Sequence, residues 1–163
     1  MKKSRRFMDL VPLMLLWLVL CAFFWGKVFM VLTDTAPENK ITVFIDARVM
    51  DETALAVEME KEMAEPIKMV KVYPFTYAMM GSEALSAADI YIVPESHVQE
   101  YAEWFAPSPE KVLIHDGKAG AADRYISYED LPGEVYWLFY GKNSVHLEDG
   151  LAEKYAEILL KLP

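Results

Sequence analysis

From residue 10 to residue 26 no charged side chain interrupts the chain, and after Lys27 the apolar run resumes over residues 28–32. A membrane-crossing helix needs about 20 apolar residues at 1.5 Å rise to cover a hydrocarbon core of about 30 Å. Residues 10–32 are therefore predicted to form one transmembrane signal-anchor helix embedded in a lipid bilayer. Pro12 falls in its first turn, where a missing N–H is cheap. Lys27 lies near the far end, where its stem follows the helix and its ammonium reaches the headgroups, and Trp25 suits the interface. A cleaved signal peptide is the competing reading. The run exceeds the usual apolar stretch of about 7–15 residues, and no clean small-x-small site follows it.

Beyond a polar stretch at 33–39 the hydrophobic period changes. Residues 40–45 (KITVFI) are β-branched and aromatic and stop at Asp46, which predicts a buried strand. Asp51 is placed to cap a helix carrying Leu55, Met59 and Met63 at i, i+4 and i+8, ending before Pro66, with Glu58, Glu60 and Glu62 on the solvated side. A second strand follows at 68–73, then a short helix at 82–88 capped by Ser82. Residues 89–93 (DIYIV) read as a third strand closed by Pro94. Ser96 and Gln99 have capping-box spacing before a helix with Val98, Tyr101, Ala102 and Phe105 on one face, ended by Pro107. A fourth strand is predicted at 111–115, an irregular stretch at 116–123, and a fifth, alternating strand at 124–128. The run 134–140 (EVYWLFY) is strongly β-favouring, and a last amphipathic helix near 149–162 lines up Leu151, Tyr155, Ile158, Leu159 and Leu162.

Alternating strands and helices imply a three-layer α/β domain with a mainly parallel sheet, mixed where 134–140 enters antiparallel. The organisation expected is a basic cytoplasmic N-terminus (1–9), the helix (10–32), a linker (33–39) and one extracytoplasmic α/β domain (40–163). Charge supports that orientation. Lys2, Lys3, Arg5 and Arg6 precede the apolar run, which by the positive-inside rule leaves the N-terminus in the cytoplasm. Residues 33–163 hold 11 Lys/Arg against 24 Asp/Glu, a net charge of −13, which repels nucleic-acid phosphates and argues against a nucleic-acid role. Acidity also keeps an exported domain soluble. The one cysteine, Cys21, lies within the apolar run, so residues 33–163 have neither an intrachain disulfide nor a thiol nucleophile.

The order of motifs carries a resemblance. KITVFID opens the domain, KVKVYPFTY follows the acidic helix, and GSEALSAADIYIVPES joins a short helix to a strand ending in proline. Together with YWLFYGKNS before a terminal amphipathic helix, this resembles one lobe of the bacterial extracellular solute-binding proteins, the capture components of ABC importers. The resemblance covers roughly residues 40–160. It implies an α/β lobe in which the late aromatic run returns to the sheet. Family members have two such lobes closing on a ligand, whereas 131 residues hold about one.

In open α/β sheets ligands bind beyond the carboxyl ends of the parallel strands. Those ends carry Asp46 and Arg48, Tyr77, Glu95 and Ser96, and these five are the candidate contacts for a small polar ligand or a partner protein. Polar strand-end loops also exist for solvation alone, and Ser96 doubles as a helix cap. His97 and His115 fall at the same edge, and His146 reads as a solvated or capping residue in a turn. No two histidines have metal-site spacing, and no GxSxG elbow or Gly-rich phosphate loop is present, so neither a metal, a cofactor nor a catalytic residue is assigned. The expected function is a non-enzymatic, membrane-anchored binding module. The alternative is an accessory subunit of a membrane transport complex without a small-molecule ligand, and a small extracytoplasmic enzyme comes third.

Overall fold

The computed structural model describes residues 2–33, 35–49, 51–74, 82–107, 111–128 and 133–163. The chain divides into two compact units, Met1–Thr35 and Ala36–Pro163. The first is one helix, α1, Lys2–Thr33. Its segment Val11–Phe29 is long and apolar enough to cross a membrane, and none of that segment is buried within the protein.

The second unit is an α/β domain with strands β1 (Lys40–Ile45), β2 (Arg48–Val49), β3 (Met69–Pro74), β4 (Ile90–Pro94), β5 (Val112–His115), β6 (Ile126–Ser127) and β7 (Tyr136–Tyr140). Its helices are α2 (Glu52–Glu60), α3 (Glu83–Ser86), α4 (Val98–Tyr101) and α5 (Leu151–Lys161). Five strands form a mixed sheet in the order β3-β1-β4-β7-β5. β1 runs parallel to both β3 and β4, and β7 is antiparallel to β4 and β5. The late aromatic run thus enters the sheet antiparallel, between the third and fourth long strands.

Strand periodicity divides the core into two. Ile41, Val43 and Ile45 of β1, Ile90 and Ile92 of β4, and Tyr136 and Leu138 of β7 face one layer, where they meet Leu55 and Met59 of α2 and Tyr155, Ile158 and Leu159 of α5. The intervening residues Phe44, Tyr91, Val93 and Phe139 face the other layer with Leu85, Tyr101 and Phe105. Side chains alternate across a strand, so a sheet buried on both faces needs apolar residues at every position. That requirement is why β1 and β4 read as unbroken hydrophobic runs.

Three expectations change. α2 ends at Glu60, not at the turn before Pro66, and Met63 is 43% exposed. The chain has to reverse within a few residues to lay β3 beside β1. The Glu60 carboxylate helps by accepting the Val70 N–H at 3.0 Å, and Pro66 disfavours helical backbone at Glu65. The alternating stretch 124–128 does not join the main sheet. Its residues Ile126–Ser127 pair antiparallel with Arg48–Val49 in a separate two-stranded ladder. The stretch 116–123 is also more regular than its glycines suggested. Asp116 Oδ1 accepts the N–H groups of Lys118 and Ala119, and Asp123 accepts that of Gly120.

Candidate functional site

Parallel neighbours end on the same side of a sheet, and the register Ile45↔Ile92 brings the residues after β1 and β4 together. Asp46 follows directly after β1, and its N–H donates to Ile92 O at 2.8 Å. After β4 a single 3-10 turn, Glu95–His97, leads into α4. This turn places the His97 ring over Asp46, with Nδ1 2.8 Å from Oδ2. The carboxylate side chain is 7% exposed and the imidazole 48% exposed. The buried acid therefore works as a support, and the ring is the part a ligand would meet. An ionised carboxylate only accepts, so Nδ1 carries the proton of this bond and Nε2 is the ring nitrogen not used by Asp46. Beneath the pair, the buried Tyr101 hydroxyl adds a further contact to Asp46.

Partial burial disfavours a charged His97, but the Asp46 hydrogen bond and charge outweigh it, aided by Glu100 and Glu134, and its pKa is raised from the ordinary histidine value. Burial also pushes the Tyr101 phenol up, as does the Asp46 carboxylate. On the same turn Glu95 pairs with Lys111 at 3.0 Å, and the Lys111 ammonium sits 3.9 Å from the centre of the Trp137 ring. That hydrogen bond holds the Glu95 carboxyl below its ordinary value. Ser96 does not cap α4. Its hydroxyl donates to Glu134 instead, and the helix has no side-chain cap. The capping-box expectation fails because Ser96 lies within the 3-10 turn and His97, not Ser96, takes the N-cap position of α4.

Of the five residues expected at this edge, Asp46, Glu95 and Ser96 are placed there, held in separate pairs with His97, Lys111 and Glu134. Arg48 lies on β2, in register with Ser127. Tyr77 falls outside the described residues. Lys111, Glu134 and Trp137 were not expected at this edge, and Tyr101 was expected only on the apolar face of its helix. The signal for Trp137 was strand alternation, since it faces the layer opposite Tyr136 and Leu138 and pairs with Val93. Nothing in residue type marked Glu134 or Lys111.

The remaining histidines are buried: the register through Tyr136 sets His115 level with Pro94 at the same strand-end edge, but its ring is not exposed there. His115 is 8% exposed, stacks on Tyr128 at 4.6 Å, and accepts the Gly117 N–H on Nδ1 at 3.0 Å. His146 is 1% exposed, which corrects its reading as a solvated turn residue. Near-complete burial and polar partners on both ring nitrogens make it an interior group. Among the described residues no three His, Cys, Asp or Glu side chains come together as a metal-binding group.

The fold and this edge define an open α/β domain whose strand-end turn presents a carboxylate-supported histidine. Comparison of the chain with protein-family models, with curated proteins and with solved structures found no match.

Proposed function

We propose that the chain is a single-pass, membrane-anchored binding module. Its N-terminus lies in the cytoplasm and its α/β domain outside. It works without catalysis and without a cofactor, contacting a small polar ligand or a partner protein at the C-terminal edge of the sheet. The observation that carries this reading is the half-exposed His97 ring held at 2.8 Å by the buried Asp46. A buried acid fixing the orientation of an exposed imidazole is arranged for recognition at Nε2, because the second ring nitrogen is already committed. The resemblance to one lobe of a solute-binding protein is supported by the antiparallel return of Tyr136–Tyr140 into an otherwise parallel sheet. The outward placement of the domain rests on the basic residues before the apolar run, set against a flank at 33–39 that carries no Lys or Arg.

Thermal-shift screening of residues 36–163 against sugars, amino acids and short peptides tests the small-ligand form. A ligand at 100 times its Kd stabilises the fold by about 2.7 kcal/mol. His97→Ala is expected to weaken that ligand at least tenfold, about 1.4 kcal/mol, and to cost about 1–3 kcal/mol of unliganded stability because the buried Asp46 loses its ring partner. If no class stabilises the domain, and a stoichiometric partner is recovered from native membranes, the edge is a docking surface in place of a solute site.

A further inference from the structure

At the other end of the strands a second polar cluster surrounds His146. Its Nδ1 faces Asp149 Oδ2 at 2.9 Å and its Nε2 faces the Pro37 carbonyl oxygen at 3.2 Å. Pro37 opens the 3-10 turn Pro37–Asn39, and Lys40 N–H closes that turn on the same Pro37 oxygen. The His146 N–H donates to Ser144 Oγ, and the Ser144 hydroxyl donates to Asp89 Oδ1. Asp89 Oδ2 accepts the Thr42 N–H at 2.7 Å. A backbone carbonyl can only accept, and so can an ionised carboxylate. Both ring nitrogens must therefore carry protons for both contacts to be hydrogen bonds, and a neutral imidazole has only one.

We propose that His146 is a proton-dependent clasp, which holds the Pro37–Asn39 turn against the 144–149 loop while doubly protonated and releases it when one proton is lost. The bond to Asp149 is charge-assisted and the shorter of the two, so the retained proton stays on Nδ1 and the bond to Pro37 is the one that fails. In a site where the ring is 1% exposed, water cannot replace the missing donor without an opening of the structure. The charged groups facing the ring are Asp149 from the loop before α5 and Asp89 from the start of β4. The turn itself contributes only its carbonyl. Burial opposes the imidazolium, but the Asp149 hydrogen bond and the two carboxylates prevail and raise its pKa above the ordinary histidine value. The sign follows from that direction. A raised folded pKa makes the clasp fully closed below the unfolded value, about 6.5, and opens it as pH rises through the folded value. Pro37 lies four residues beyond the last residue of α1, Thr33. Release therefore frees a turn that stands, in the chain, between the end of α1 and the start of β1.

The test uses the full chain in lipid nanodiscs, with amide hydrogen exchange read between pH 5.5 and pH 8.5 and corrected for intrinsic rates. The Lys40 amide is expected to lose at least tenfold protection across that range. His146→Gln should abolish the pH dependence, and Asp149→Asn, an exposed and milder change, should move the midpoint down by about one pH unit. Ring 15N shifts should show both His146 nitrogens protonated at pH 5.5 and one at pH 8.5. Constant protection in the unmodified protein would overturn the proposal. So would an unshifted midpoint in Asp149→Asn, or a singly protonated ring at pH 5.5.

Discussion

Phe44→Ala is expected to destabilise the α/β domain by about 4 kcal/mol, a large fraction of a typical stability of about 5–15 kcal/mol. Phe44 is 1% exposed and sits where the second core layer is most aromatic, with ring centres 5.9 Å from Tyr91 and 5.5 Å from Tyr101. Burial of a phenylalanine removes roughly 150 Å² or more from water, about 4 kcal/mol at 25 cal/mol per Å². The cavity left behind adds to that loss if the rings cannot close over it. Tyr101 would lose one wall of its packing, and Tyr101 is the buried neighbour of the Asp46 carboxylate. The substitution should therefore blur the orientation of His97 as well as lower stability. Equilibrium urea unfolding of residues 36–163 measures the first effect. With a slope near 1.5 kcal/mol per M, the midpoint should fall by roughly 2.5 M. Phe44→Leu, which refills most of the volume, is expected to cost about 1.5 kcal/mol or less. Equal losses from the two variants would show that the layer is not close-packed.

Gly141→Ala should cost about 3 kcal/mol, for the opposite reason. A Cβ at Gly141 would lie 1.9 Å from the backbone oxygen of Ala88, and a carbonyl of the main chain cannot swing aside as a flexible side chain would. The two chains approach so closely because Gly141 N–H donates to Asp89 O at 2.9 Å and Gly141 bridges to Phe105. Overpacking at such a point typically costs 1–3 kcal/mol, and backbone as the obstacle places this case at the top of that range. The same chemical unfolding measurement decides it. A midpoint within 0.3 M of the parent, by contrast (about 0.5 kcal/mol at the same slope), would mean that β4 and β7 separate without penalty.

The parts of the fold legible in the sequence are those where one period dominates. KITVFI and DIYIV are apolar on both faces, and they became the central strands β1 and β4, displaced by no more than one residue. Asp51 accepts the Ala54 N–H at 2.8 Å as an N-cap should. Ser82 likewise accepts the Leu85 N–H. The terminal helix buries Tyr155, Ile158 and Leu159, three of the five residues its spacing selected, while Leu151 and Leu162 are partly buried against the same core. Legibility failed where a side chain had a choice of partner. Ser96 had the spacing of a cap, but Glu134, 38 residues later, took its hydroxyl. His146 had the polar neighbours of a turn, but a residue 109 positions earlier supplied its second acceptor. Local sequence holds no trace of such distant pairings. At the strand-end edge the identity of the acids could be read, whereas their grouping into Asp46–His97 and Glu95–Lys111 came from tertiary structure.

The position of β7 has a consequence for the order of assembly. Among the described residues it is the last strand, yet in the sheet it separates β4 from β5, and β5 has no other strand beside it. Until residue 140 is available, β3, β1 and β4 make an open three-stranded ribbon with β4 as an unprotected edge. β5 then waits unpaired through more than twenty residues of later chain. Insertion of a late strand between two earlier ones is a non-local step, of the kind that slows folding and leaves nascent edges open to mispairing. A growing chain of this protein therefore depends on its aromatic YWLFY segment as the wedge that completes the sheet from within, and truncation just before residue 136 should leave a sticky intermediate in place of a smaller domain.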